Sequence, residues 1–184
     1  MAFSVERQGN HLFISGDIGP ESPATFNRNL VESILELALA GDQQSPVHLH
    51  LNLPRGGDAD ASFKLVEIIR TAQSHGTQIV ANVGPGTTCM SGCTFLFLAA
   101  SERWIAPEGK LIFHGFGQAN PERPVEVPSS YHLAYDDLLK SANVNFYRFF
   151  KMARIIEDDR KVGFTGQTLY EHKAFSGLIT GLMP

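Results

Sequence analysis

Cysteine, tryptophan and long apolar runs are all scarce in this chain: two cysteines, one tryptophan, and no uncharged apolar stretch longer than Cys89 to Ala100. A dozen residues cannot cross a bilayer, so that stretch reads as a buried helix rather than a membrane span. Cys89 and Cys93 supply two ligands where a structural zinc site usually has four. They read as small buried residues, or as a local disulfide if the compartment is oxidising. Positive charge is also short. The net charge is −4, and the basic patch that nucleic acid asks for is missing. The opening MAFSVERQGN lacks the basic-then-apolar pattern of a signal peptide, which points to the cytoplasm, or to the periplasm if a leader has been removed. There is no internal repeat, low-complexity tract, linker or nucleotide motif, and nothing calls for a cofactor.

What is present is one ordinary domain over 1–184. Its 184 residues, 43% hydrophobic, suffice to bury a substantial core. His11-Leu-Phe-Ile-Ser-Gly-Asp-Ile reads as a first strand and its turn. Ser22-Pro-Ala-Thr opens a helix to about Ala40, with the serine as cap and proline next. Val47-His-Leu-His-Leu-Asn-Leu alternates as a half-buried strand, and Pro54-Arg-Gly-Gly is a permissive turn. Asp58 and Asp60 are natural caps for a helix that ends at His75-Gly76. A strand over 77–83, a loop over 84–90, the buried helix over 91–100 and a connection over 102–107 follow. Lys110 to His114 is a strand, 117–129 a polar excursion, and 130–152 one long helix. A short helix is predicted near 166–174. Strands alternating with helices imply an α/β fold with a mainly parallel sheet.

The chemistry centres on Ser91. Serine is a weak nucleophile unless a base takes its proton and donors hold the oxyanion that forms. Ser91 lies at a helix mouth, where unpaired N–H groups favour developing negative charge. The N–H of Gly92 is the adjacent donor, and Gly56-Gly57 is backbone able to approach a ligand closely. His114 ends a strand and is placed to be the base. Asp158 and Asp159 are candidates for the acid that orients it. A serine at this position is also an ordinary cap, and a strand-end histidine is ordinarily a surface residue.

From Leu12 to about Thr180 the chain resembles the Clp protease proteolytic subunit and its relatives in the Clp/crotonase-like superfamily. Phe13-Ile-Ser-Gly16 matches a Phe-Leu-Thr-Gly strand, and Asn52-Leu-Pro-Arg-Gly-Gly57 an Asn-Ser-Pro-Gly-Gly turn. Met90-Ser-Gly-Cys-Thr matches the Ala-Ser-Met-Gly-Ala-like nucleophile segment, Leu111-Ile-Phe-His114 the Met-Ile-His base. Phe175-Ser-Gly-Leu-Ile matches a Tyr-Gly-Leu-Val-like tail. The resemblance implies a repeated β-β-α superhelical fold with a helical handle over about 130–152. It also implies a serine endopeptidase with Ser91 as nucleophile, His114 as base and Asp159 as acid. Gly57 and Gly92 would form the oxyanion hole, and the strand after Gly57 would pair with an extended peptide. Peptides or unfolded proteins would be the substrates. Ring assembly through 130–152 and an ATP-dependent unfoldase partner are further implications.

The chain departs from that pattern in three places. Asn52-Leu-Pro-Arg-Gly-Gly has one residue more than its counterpart, so a bulge or a register shift is expected, and Gly56 could replace Gly57 as donor. Gly92 stands where the family has a larger residue, and cysteines replace small residues around the nucleophile, as in a little-characterised branch with Cys-x-Ser-x-Cys. The acid must be matched across a gap. Two other activities share the fold: a crotonase-type acyl-CoA enzyme, which needs no nucleophile, and a non-catalytic assembly subunit. His48 and His50 share a strand face, but two ligands make a partly exposed face the better reading than a metal pair. Trp104 reads as core or interface. Phe146, Tyr147, Phe149 and Phe150 crowd one segment, which asks for a second burial surface, either another subunit or the chain's own core.

Overall fold

The computed structural model describes residues 1–42, 44–116, 128–155 and 161–183. β1 (Ser4–Gln8) and β2 (His11–Ser15) form a hairpin, followed by α1 (Ser22–Leu39), β3 (Val47–Asn52), α2 (Ala59–Ser74) and β4 (Ile79–Val83). Next come β5 (Thr88–Met90), α3 (Gly92–Ala99), β6 (Glu102–Ile105), β7 (Lys110–Phe113), α4 (Ser129–Ala142) and α5 (Val144–Met152). The chain closes with β8 (Val162–Thr165), α6 (Gly166–Glu171), a 3-10 turn at Lys173–Phe175, and β9 (Gly181–Leu182). The main sheet has the order β1-β2-β3-β4-β6-β9 and is parallel except for β1. A second sheet, β5-β7-β8, joins it through a bridge between Leu53 and Cys89.

Alternation in β2 and β3 sets the layers. Leu12 and Ile14, with Val47, Leu49 and Leu51, are buried in the core, while His11, Phe13, His48 and His50 occupy the opposite face. β4, buried at every position, reads as a continuous apolar run, as a central parallel strand should. Helix α3 is buried from Gly92 to Leu98, so most of the apolar stretch from Cys89 to Ala100 forms a core helix, with Cys89 and Met90 belonging to β5.

Several expectations need correction. β1, β5, β6, β8 and β9 are absent from the sequence reading, where 84–90 and 102–107 are a loop and a connection. These strands are two to five residues long and are defined by partners distant in the chain. Glu21, not Ser22, is the N-cap of α1; the Ser22 hydroxyl accepts from the Gly19 N–H at 2.9 Å. Asp58 alone caps α2, accepting from the Ala61 N–H at 2.8 Å, and Asp60 sits in its first turn. No strand follows Gly57: the chain enters α2 directly, so the expected substrate-pairing strand is not there.

The long helix over 130–152 is two helices broken at Asn143. The Asn143 backbone is extended (φ −167°), and its side chain caps α5 by accepting from the Phe146 N–H at 2.9 Å. The aromatic crowd finds its burial surface within the chain. Phe146 and Phe150 are fully buried and meet Phe113 edge-on at 5.2 and 5.1 Å, and Phe164 and Phe175 close the cluster. Edge-to-face pairs of this kind add to area burial. Leu133, Val144 and Met152 remain exposed on the same two helices.

Candidate active site

Ser91 stands where β5 turns into α3, at φ 56° and ψ −123°. A residue with a β-carbon held there costs on the order of 1–3 kcal/mol and persists only when its surroundings enforce it. The surroundings do. The Ser91 N–H donates to the Ile112 carbonyl at 3.0 Å, and the Met90 N–H to the Leu53 carbonyl at 3.1 Å. The Ser91 carbonyl accepts from the Thr94 N–H at 2.8 Å and from the Thr94 hydroxyl at 2.7 Å. Ser91 occupies the N-cap position, yet its side chain makes no cap hydrogen bond. The ordinary role for a serine at a helix start is therefore not the one filled here, and the hydroxyl is left for other work.

The turn before α2 supplies the second wall. β3 stays in unbroken parallel register with β2 through Asn52, so the strand itself carries no bulge. The turn from Leu53 to Gly56 is closed by the Gly56 N–H donating to the Leu53 carbonyl at 3.2 Å. Arg55, exposed in that turn, pairs with Asp17 at 2.9 Å. Gly56 (φ 68°) lies so close to the elbow that a β-carbon there would come within 2.6 Å of the Ser91 β-carbon. The Gly56 carbonyl accepts from the Ile18 N–H at 2.7 Å, and the Ile18 carbonyl accepts from the Asp58 N–H at 2.9 Å. Between them the Gly57 N–H has no hydrogen-bond partner among the described residues. Gly92, the first residue of α3, likewise has an N–H with no partner inside its helix. A β-carbon on Gly92 would meet the Ser62 hydroxyl at 2.1 Å, so a larger residue here requires Ser62 to move.

His114 follows β7. Met90 pairs with Ile112 in parallel register, so Ser91 and His114 leave the same ends of neighbouring strands, and Gly57 follows the end of β3. Ligands and reacting groups gather at the carboxyl ends of parallel strands for this topological reason. The half-buried His114 pairs its Nδ1 with the Gly115 carbonyl oxygen at 2.5 Å. A carbonyl only accepts, so the proton is on Nδ1, and a neutral ring then carries its lone pair on Nε2. Asp158 and Asp159 lie outside the described residues.

Cys89 and Cys93 form a disulfide, with Cα atoms 5.2 Å apart, and both are fully buried. They bracket Ser91 on its strand and helix sides. Both readings of these cysteines hold: the two are buried, and they are bonded.

One cluster outside this site escaped the sequence reading. His11 joins His48 and His50 on the outer sheet face. The His11 and His48 rings stack at 4.6 Å, and His11 Nδ1 lies 2.9 Å from His50 Nε2. Burial, with His11 and His48 nearby, pushes His50 down to about 4. Burial and then His11 lower His48, opposed by Glu102. The only signal for His11 was its register partner His48, which pairing of β2 with β3 reveals and spacing does not. No group of three or more His, Cys, Asp or Glu among the described residues is arranged to hold a metal ion.

The architecture, a mostly parallel sheet flanked by helices, is an α/β fold of the ClpP/crotonase-like type. Among solved structures, the 1510-N membrane-bound stomatin-specific protease is similar in two forms. A serine-to-alanine mutant matches with a TM-score of 0.61 and 18% identity, over 93% of this chain and 77% of that one. A lysine-to-alanine mutant in complex with a substrate peptide matches with a TM-score of 0.62 and 20% identity, over 93% and 73%. A structure described only as an enzyme matches at 0.63 with 12% identity, over 95% and 96%. No protein-family model and no curated protein matches the chain. No described helix is long and apolar enough to cross a membrane.

Proposed function

We propose that this chain is a serine peptidase of the Clp proteolytic-subunit type. The observation that carries the reading is Ser91 itself: a helix-mouth serine held at positive φ whose hydroxyl is not used as a cap. In the proposed reaction His114 Nε2 takes the Ser91 proton as Oγ attacks a peptide carbonyl carbon. The oxyanion is held by the N–H groups of Gly57 and Gly92. His114 then protonates the leaving amine. Water, deprotonated by the same nitrogen, hydrolyses the acyl-serine and returns the proton to Oγ. Gly57 is preferred to Gly56 because the Gly56 N–H is already committed to the turn.

The Gly115 carbonyl supports the base in the required tautomer; Asp159 is the proposed acid and would accept the same Nδ1–H in place of that carbonyl. The peptide substrate is supported by the similar stomatin-specific protease, described with a bound substrate peptide. Assembly through α4 and α5 is supported by exposed Leu133, Val144 and Met152. An ATP-dependent unfoldase partner remains part of the same reading by resemblance. The disulfide favours an oxidising compartment over the cytoplasm.

Treatment with a fluorophosphonate and mapping of the adduct tests this. Labelling at Ser91 that disappears in Ser91→Ala and falls at least about 100-fold in His114→Ala is expected. A folded sample with Ser91 unmodified sinks the peptidase and leaves the non-catalytic subunit. Acyl-CoA turnover that survives Ser91→Ala indicates the crotonase-type activity, which relies on the two backbone donors alone. Asp158→Asn and Asp159→Asn, compared side by side, should differ, with the larger loss at Asp159.

A further inference from the structure

We infer that the Cys89–Cys93 disulfide is a positioning cross-link that holds the Ser91 elbow in its reactive conformation; this rests on the peptidase reading above. The bond joins the buried middle residue of β5 to the second residue of α3, with Ser91 midway between. Ser91 is one of two non-glycine residues at positive φ among the described residues, and it is the one at the candidate site. A turn of this kind relaxes by letting the strand and the helix change direction relative to one another. The cross-link blocks that movement, because it ties the two legs on either side of the strained residue.

Hydrogen bonds to Leu53 and Ile112 fix the strand leg, and Thr94 fixes the first turn of the helix. Neither set spans the elbow from leg to leg, and the disulfide does. The loop it closes is short, so it removes little freedom from the unfolded chain. Its effect therefore concentrates on local geometry. Both sulfurs are buried, and thiol exchange requires a thiolate to reach a sulfur. The bond is accordingly a static brace in the folded protein, not a rapidly cycling switch.

The test compares the fluorophosphonate labelling of Ser91 in oxidised protein, in protein refolded under dithiothreitol, and in Cys89→Ala/Cys93→Ala. Dithiothreitol gives two electrons and two protons to the bond, leaves two thiols and becomes a cyclic disulfide, so the reduced chain gains only two hydrogens. The expected result is a folded reduced protein whose maximal labelling rate is about tenfold lower or more, because small misplacements of a reacting group are expensive in rate. Probe affinity should stay unchanged, and reoxidation should restore the rate. Equal maximal rates in the folded oxidised and reduced forms overturn the positioning role while leaving the peptidase intact. Loss of folding in both the reduced protein and the double variant also overturns it, since the bond is then a staple for the whole fold. Absence of Ser91 labelling in the oxidised protein overturns the peptidase reading and this inference with it.

Discussion

At the scale of single residues, the site depends on places where a side chain is missing. Gly92 leaves room for Ser62, which is fully buried and donates its hydroxyl proton to the Asp58 carbonyl at 2.6 Å. Gly92→Ala forces that hydroxyl to give way and is expected to cost about 1–3 kcal/mol of stability. Made in a Ser62→Ala background, the same substitution should cost less, because the atom at 2.1 Å is gone. Denaturant midpoints of the four proteins measure the coupling, and equal costs in the two backgrounds refute it. Ser91 could be singled out from sequence because it begins an apolar run and is followed by glycine. Its positive φ and its unused capping capacity could not, since both depend on the Gly56 turn and on Ile112, which are remote in the chain.

At the scale of elements, α3 is held at both ends. Its mouth carries Ser91, and its far end meets Arg103 from β6. The guanidinium donates to the Ala100 carbonyl at 3.0 Å, the Leu178 carbonyl at 2.6 Å and the Gly177 carbonyl at 3.2 Å. A cation suits the negative end of a helix, and here it also ties the tail to α3. Burial lowers the guanidinium pKa, but the group stays charged at any ordinary pH. Arg103→Ala is expected to lose about 2–3 kcal/mol, because several carbonyls lose a charged donor at once. Arg103→Lys should recover only part, since an ammonium cannot serve the same fork. Urea unfolding checks this, and full recovery by lysine contradicts it. The 102–107 segment reads as a connection from sequence because β6 has only four residues. Its pairing with β4 and β9 makes it a strand and aims Arg103 at the helix end.

For the whole molecule, the outer face of the main sheet couples stability to pH. His50 titrates at about 4 when folded against an ordinary 6.5, so the unfolded chain binds the extra proton between those values. Stability is then full above about 6.5, falls as pH drops toward 4, and levels off below. His48 shifts in the same direction. Phe13 stacks on His50, and its register neighbour Asn82 has a buried side-chain nitrogen without a partner among the described residues. Unfolding free energies at pH 7.5 and 4.5 should differ less in His50→Gln than in the unsubstituted protein; an unchanged difference rules out His50 as a source. The three imidazoles meet only because β2 and β3 pair in parallel across 37 residues of separation, His11 against His48.

The order of motifs in the sequence determined the α/β class, the buried helix and the residues around which chemistry could be sought, because apolar periodicity and turn residues act over a few positions. Tertiary structure decided the rest. Short strands and the split at Asn143, whose side chain also donates to the Ser176 carbonyl, involve neighbours distant in sequence, and the turn at Ser91 brings Cys89 and Cys93 together. It was likewise packing, through Gly56 against the elbow and Ser62 under Gly92, that turned a serine suited to capping into one whose hydroxyl is not spent on a cap.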